Sequence, residues 1–139
     1  MNRNPFILTA VLTLIPICAA AQSAEIDAAV ERYMAETIEF RHFMHQYPEL
    51  GNREFETSRR VAEHMRELGL EVRSGIAHTG VVGILRGGRP GTVVAVRADM
   101  DALPVTEDTP YEFKSTVRST YLGQEVGVMH ACGHDVHTA

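Results

Sequence analysis

The chain has 139 residues, 22% of them charged, and a formal net charge of −5, which bounds it to one ordinary domain at most. Its basic residues are scattered rather than massed. That pattern excludes a nucleic-acid surface and a polybasic membrane-binding face.

The first 21 residues, MNRNPFILTAVLTLIPICAAA, place Arg3 ahead of an apolar run from Phe6 to Ile17. Ala19 and Ala21 then fit the A-x-A pattern of a signal-peptidase site. Residues 1–21 are therefore expected to be a secretory signal, cut after Ala21, leaving 22–139 as a periplasmic or secreted chain. The run is shorter than the roughly 20 apolar residues a spanning helix needs, so no stable membrane anchor is expected. Pro16 and Ile17 before Cys18 argue against a lipoprotein. Signal removal takes Arg3 and Cys18 away, leaving 12 basic against 18 acidic residues and Cys132 as the single thiol. One cysteine makes no internal disulfide, and in an oxidising compartment it stays intact when buried or coordinated.

From Ala24 to about His45, Ile26, Val30, Met34 and Ile38 recur at helical spacing, with Ser23 as a candidate cap and Pro48 as the stop. A second helix is expected over Arg53–Leu68, with Val61, Met65 and Leu68 on one face and Gly69 as terminator. LEV (70–72) reads as a short strand. TGVVGIL (79–85) and TVVAVRAD (92–99) follow, separated by RGGRPG. The second run is valine-rich and nearly continuous, the pattern of a strand buried on both faces. Residues 104–128 are less regular, with YEF (111–113) as a short extended piece. Helices preceding strands in this order predict an α/β layer structure.

The chemistry gathers at two places. Asp99 and Asp101, in RADMDALP, point the same way on extended backbone, and adjacent carboxylates need a neutralising cation or donor. The plain alternative pairs one of them with Arg97 and uses the other to cap a turn. In HACGHDVH, Cys132 and His134 converge if the backbone is extended, with Gly133 permitting a sharp bend. Thiolate and imidazole suit zinc or another borderline transition metal, and nearby carboxylates suit manganese. Asp135 or Asp101 can accept the free ring N–H of a ligating histidine, and His137 lies one turn beyond His134. His130 reads equally as a third ligand or as support. His42, His45 and His64 are expected on helix surfaces or interfaces, and His78 has no evident partner. A competing reading makes Cys132 a nucleophile with His134 or His137 as its base, although such pairs generally come from distant parts of a chain.

HQYPELGNREFETS, TGVVGILRGGRPGTVVAVRADMDALPVTE and MHACGHDVHTA, in this order and spacing, resemble the amidohydrolase branch of the aminoacylase/carboxypeptidase metallopeptidase family. Hippurate hydrolases, N-acyl-amino-acid amidohydrolases and plant auxin-conjugate hydrolases belong to that branch. The resemblance implies an α/β catalytic domain, a mixed sheet with flanking helices, around two divalent metal ions: zinc or manganese, with cobalt or nickel also compatible. It implies a smaller inserted domain used for dimerisation. Asp101 matches the aspartate that orients the site, and Asp99 stands where other branches carry a histidine ligand. Cys132 and His134 match the metal ligands, with Asp99, Asp135 and His137 in support. The family's other ligands, a glutamate and two histidines, and its general-base glutamate match no position here. The resemblance thus implies the N-terminal part of a truncated catalytic domain, inactive alone. The whole enzyme would cleave N-acyl amino acids or small peptides with an activated water. A non-catalytic exported metal-binding module is the alternative.

Overall fold

The computed structural model describes the backbone from Pro5 and side chains from Ser23, so the signal-peptide expectation for residues 1–21 lies outside the residues it fully describes. Seven elements follow in order: α1 (Pro5–Gln46), α2 (Phe55–Glu67), β1 (Glu71–Ile76), β2 (Gly80–Ile84), β3 (Arg118–Tyr121), β4 (Gln124–Gly127) and α3 (His134–Thr138). The chain divides into two compact units, Met1–Ile38 and Glu39–Ala139. Among the described residues no helix is long and apolar enough to cross a membrane.

The first helix is longer than expected. It runs through Ser23, which is therefore an interior residue and not a cap. The stripe of Ile26, Val30, Met34 and Ile38 is largely exposed. Helical spacing establishes an amphipathic face, but a face is buried only where another element lies against it.

The second unit holds everything else. Helix α2 matches its expected span closely. Its first turn is capped from outside, because the Glu49 carboxylate accepts from the backbone N–H groups of Glu56 (3.2 Å) and Thr57 (2.8 Å). Its end closes as expected at Gly69: the Gly69 N–H donates to Arg66 O and the Leu70 N–H to Met65 O, a complete Schellman pattern. The next turns lead directly into β1, which pairs antiparallel with β2. A buried bond from Thr79 Oγ1 to Glu54 Oε2 (2.7 Å) ties the hairpin turn to the start of α2. The two strands fall on the runs LEV and TGVVGIL, but the turn between them is not legible in the sequence, because Ala77 and His78 both adopt positive φ without being glycine or asparagine.

The expected strand over 92–99 does not form. Residues 92–99 carry no regular structure, and Val93, Val94 and Val96 stand 81–94% exposed. A strand buried on both faces needs neighbours to complete its hydrogen-bond ladder and to cover its side chains. Among the described residues both sheets are two-stranded, β1–β2 and β3–β4, and neither includes this run. Bridged pairing resumes just beyond it. Leu50 bridges Ala102, Leu103 bridges Met129, and Leu50, Ala102 and Val128 form the small apolar core beside Val117. YEF also differs from expectation. It forms a turn closed by the Lys114 N–H on Tyr111 O (3.2 Å), with the Tyr111 and Phe113 rings stacked. The irregular stretch instead supplies the β3–β4 hairpin, joined through Leu122 and Gly123 at positive φ.

Gly127 shows how closely β4 meets the loop before it. A Cβ at that position would lie 2.6 Å from the Thr106 Cα, and backbone cannot rotate away as a side chain does. Gly127→Ala is expected to destabilise the fold by about 1–3 kcal/mol in urea denaturation, the usual cost of overpacking. Gly91→Ala, which meets open space, should leave the midpoint unchanged.

Candidate metal centre

Three segments bring the site together: the run ending at Asp101, the turn over 131–133 and the short helix α3. Gly133 takes a left-handed conformation (φ 77°), which turns the chain abruptly into α3. One ligand atom each of Asp99, His134 and His137 then lies within 4.8 Å of the others, the one such group among the described residues. His134 and His137 sit one helical turn apart with their rings stacked at 5.3 Å.

His134 is oriented from behind. Its Nδ1 lies 2.9 Å from the Asp101 backbone oxygen and 3.0 Å from Asp101 Oδ1. Both partners are acceptors, so Nδ1 carries the proton and Nε2 is left with a free lone pair. Asp99 is engaged on one oxygen only: Arg97 donates to Oδ1 through Nε (2.9 Å) and a terminal nitrogen (2.7 Å). Those bonds hold the Asp99 carboxyl below its ordinary range, so it is ionised at neutral pH. The two aspartates thus face the same imidazole, as their i, i+2 spacing suggests, although no strand carries them.

The donor set suits a divalent ion. A tetrahedral ion with bonds of about 2.1 Å separates its ligand atoms by about 3.4 Å, somewhat inside the observed spread. One carboxylate oxygen and two imidazoles, one already fixed in tautomer, are donors of the kind that hold a divalent metal.

Cys132 stands elsewhere. It is exposed, on a turn rather than extended backbone, and outside the Asp99–His134–His137 group. The expected convergence of Cys132 with His134 required an extended i, i+2 geometry, and the left-handed Gly133 replaces it with a corner.

Asp135 turns the other way. It is 2% exposed, and its Oδ2 accepts from Arg41 Nε (3.2 Å) and meets His45 Nδ1 (3.0 Å). His45 Nε2 in turn meets Glu107 Oε1 at 3.0 Å. Glu107 also accepts from the Thr109 hydroxyl (2.6 Å) and the Ser115 N–H (2.6 Å). Of the surface or interface positions expected for it, His45 therefore takes an interface, as a buried bridge between two carboxylates. Sequence reasoning missed Arg41, Glu107 and Thr109 as well, because their partners lie 62 to 94 positions away in the chain or carry no pattern. His42 is a helix-surface residue stacked on Phe113 at 3.8 Å. His130 is buried, and neither ring nitrogen has a partner among the described residues. Burial pushes its imidazole below the ordinary value, so it is neutral.

Residues 95–139, which contain all of Asp99, Asp101, Cys132, His134, Asp135 and His137, match the Peptidase family M20/M25/M40. Over that segment the chain is similar to that family. It is 54% identical over 103 residues to thermostable carboxypeptidase 1 of Saccharolobus solfataricus, covering 73% of this chain and 24% of that protein. It is 42% identical over 115 residues to the N-acyl-L-amino acid amidohydrolase of Geobacillus stearothermophilus, covering 83% and 29%. The crystal structure of the Bacillus subtilis YXEP protein, a dinuclear metal-binding peptidase of the M20 family, superposes with a TM-score of 0.68 at 37% identity, over 78% of this chain and 28% of that one. The chain thus spans about a quarter of the length of the relatives it matches, and the likeness supports the amidohydrolase branch of the family.

Glu107 gives the buried network a pH signature. Burial raises its pKa, but the bonds from Thr109, His45 and Ser115 outweigh that and leave it lowered from 4.5. A carboxyl lowered on folding contributes stability that is present above its unfolded pKa and lost as pH falls through the folded value. The stability of the chain is therefore expected to drop as pH falls below 4.5, and Glu107→Gln should make that drop shallower in acid denaturation followed by circular dichroism.

Proposed function

We propose that this chain carries the first part of the metal centre of an amidohydrolase that cleaves the amide bond of N-acyl amino acids or small peptides. The observation that carries the reading is His134. Its Nδ1–H is held by Asp101, and one of its ring nitrogens lies within 4.8 Å of ligand atoms of Asp99 and His137, all inside the segment that matches the family. Two divalent ions, zinc or manganese, are the proposed cofactors, and when bound they supply Lewis acidity and an activated water. The relatives' names support the substrate class.

In this reading the chain's own residues act as follows. His134 donates a lone pair from Nε2, and Asp101 keeps it in the required tautomer and makes the ring more basic. Asp99, kept ionised by Arg97, adds negative charge where a cation is held. His137 extends the donor set along the same helix face. Cys132 is proposed as a thiolate ligand beside His134, reaching the centre from its exposed turn. Asp135 supports α3 from within. Export by the signal segment at 1–21 and a dimeric whole protein complete the proposal.

Cobalt(II) titration tests the ligand assignment. The wild-type chain should develop visible absorption with a thiolate-to-metal charge-transfer band. Cys132→Ala should lose that band, and His134→Ala should lose uptake altogether. Uptake and spectrum unchanged in Cys132→Ala would remove the thiol from the centre. In the whole protein, hydrolysis of hippurate or an acetyl-amino acid should cease with a chelator and return with metal. Activity that resists chelators but is abolished by thiol alkylation would instead indicate a cysteine hydrolase.

A further inference from the structure

We propose that His45 is a positioning residue for this centre: by bridging Asp135 and Glu107 through its two ring nitrogens, it pins α3 and so sets the placing of His134 and His137. The inference rests on the metal-centre reading above for its consequence, though not for its geometry.

The five residues of α3 form little more than one turn, far too short to hold a helix in water unaided. Its place must come from tertiary anchors. Asp135 is the one buried residue of α3, and it directly follows His134. Its carboxylate is held by Arg41 and His45, both on the last turns of α1. Arg41 is 40% exposed at its side chain, whereas His45 is 8% exposed, so His45 is the anchor shielded from water.

The chemistry of the bridge is specific. Each ring nitrogen of His45 lies 3.0 Å from a buried carboxylate oxygen. A neutral ring would set one lone pair against a carboxylate, and only the doubly protonated ring donates to both. The Phe113 ring packs edge-on against His45 at 5.5 Å and helps exclude water. Glu107 fixes the far side of the imidazole, being itself held by Thr109 and the Ser115 N–H. The path therefore runs from the 107–115 loop through His45 to Asp135 and the adjoining ligand.

A pair of variants in the full chain separates positioning from bulk stability. His45→Gln keeps one donor for Asp135 but turns its amide oxygen toward Glu107. Adding Glu107→Gln supplies an amide N–H for that oxygen and restores the same connectivity without charge. Two readouts are taken: cobalt(II) affinity from visible absorption, and the hydrogen-bonded Nδ1–H of His134 by nitrogen-15 NMR of the metal-free chain. His45→Gln is expected to weaken cobalt binding by about tenfold or more, as loss of groups supporting a ligand does, and to lose the His134 signal. The double variant should recover both. If His45→Gln folds with both readouts unchanged, or the double variant does no better than the single, the proposal is overturned. If His45→Gln does not fold, the double variant decides: native readouts support the role, and weakened ones overturn it. Should the wild-type chain take up no cobalt, the metal-centre reading fails, while the His134 signal still decides whether His45 positions it.

Discussion

Two carboxylates, Asp135 and Glu107, are buried with a single imidazole between them, and the second unit of the chain is organised around that demand. An ionised carboxylate out of water is tolerated only with donors on its oxygens. Removing one partner from such a set typically costs about 3–5 kcal/mol, because a charge is left uncompensated. The donors come from the last turns of α1, from Thr109 and from the Ser115 backbone. Satisfying two side chains thus gathers α1, the 107–115 loop and α3.

The apolar contribution to this arrangement is small. Among the described residues, five hydrophobic side chains are buried against nine polar or charged ones, so directional bonds, not packing, decide where the segments lie. HQYPELG shows the division of labour. His45 takes the buried carboxylates, Glu49 caps α2 with its side chain and receives the Ala102 N–H on its carbonyl, and Leu50 enters the apolar core. One heptapeptide therefore connects α1, α2 and the segment of the aspartates.

The candidate centre inherits its geometry from those ties. Asp101 holds His134 from one side while Asp135 fixes the helix from the other, with Asp99 and His137 close to the same imidazole. Charge placement follows the same logic: Arg97 keeps Asp99 ionised, and no side chain among the described residues bonds to Nε2 of His134. The exposed valines at 93, 94 and 96 are the contrasting case. Their composition asks for neighbours on both sides, and a segment of that kind is ordered only under another layer.

The sequence by itself determined what depends on local chemistry. Helical spacing and Gly69 set α2, the clustering of Asp99, Asp101, Cys132, His134, Asp135 and His137 pointed to metal-binding chemistry, and three motifs in order carried the family resemblance. These follow from neighbours a few residues apart, where periodicity and turn chemistry act. Only the tertiary structure decided which groups meet. It placed His45 between partners 62 and 90 positions distant, gave the Nδ1 of His134 to Asp101 rather than Asp135, and turned Cys132 outward at a left-handed glycine. It also denied the valine run its strand. A buried bridge, a tautomer and a sheet partner are each fixed by what lies across space, and no local pattern encodes that distance.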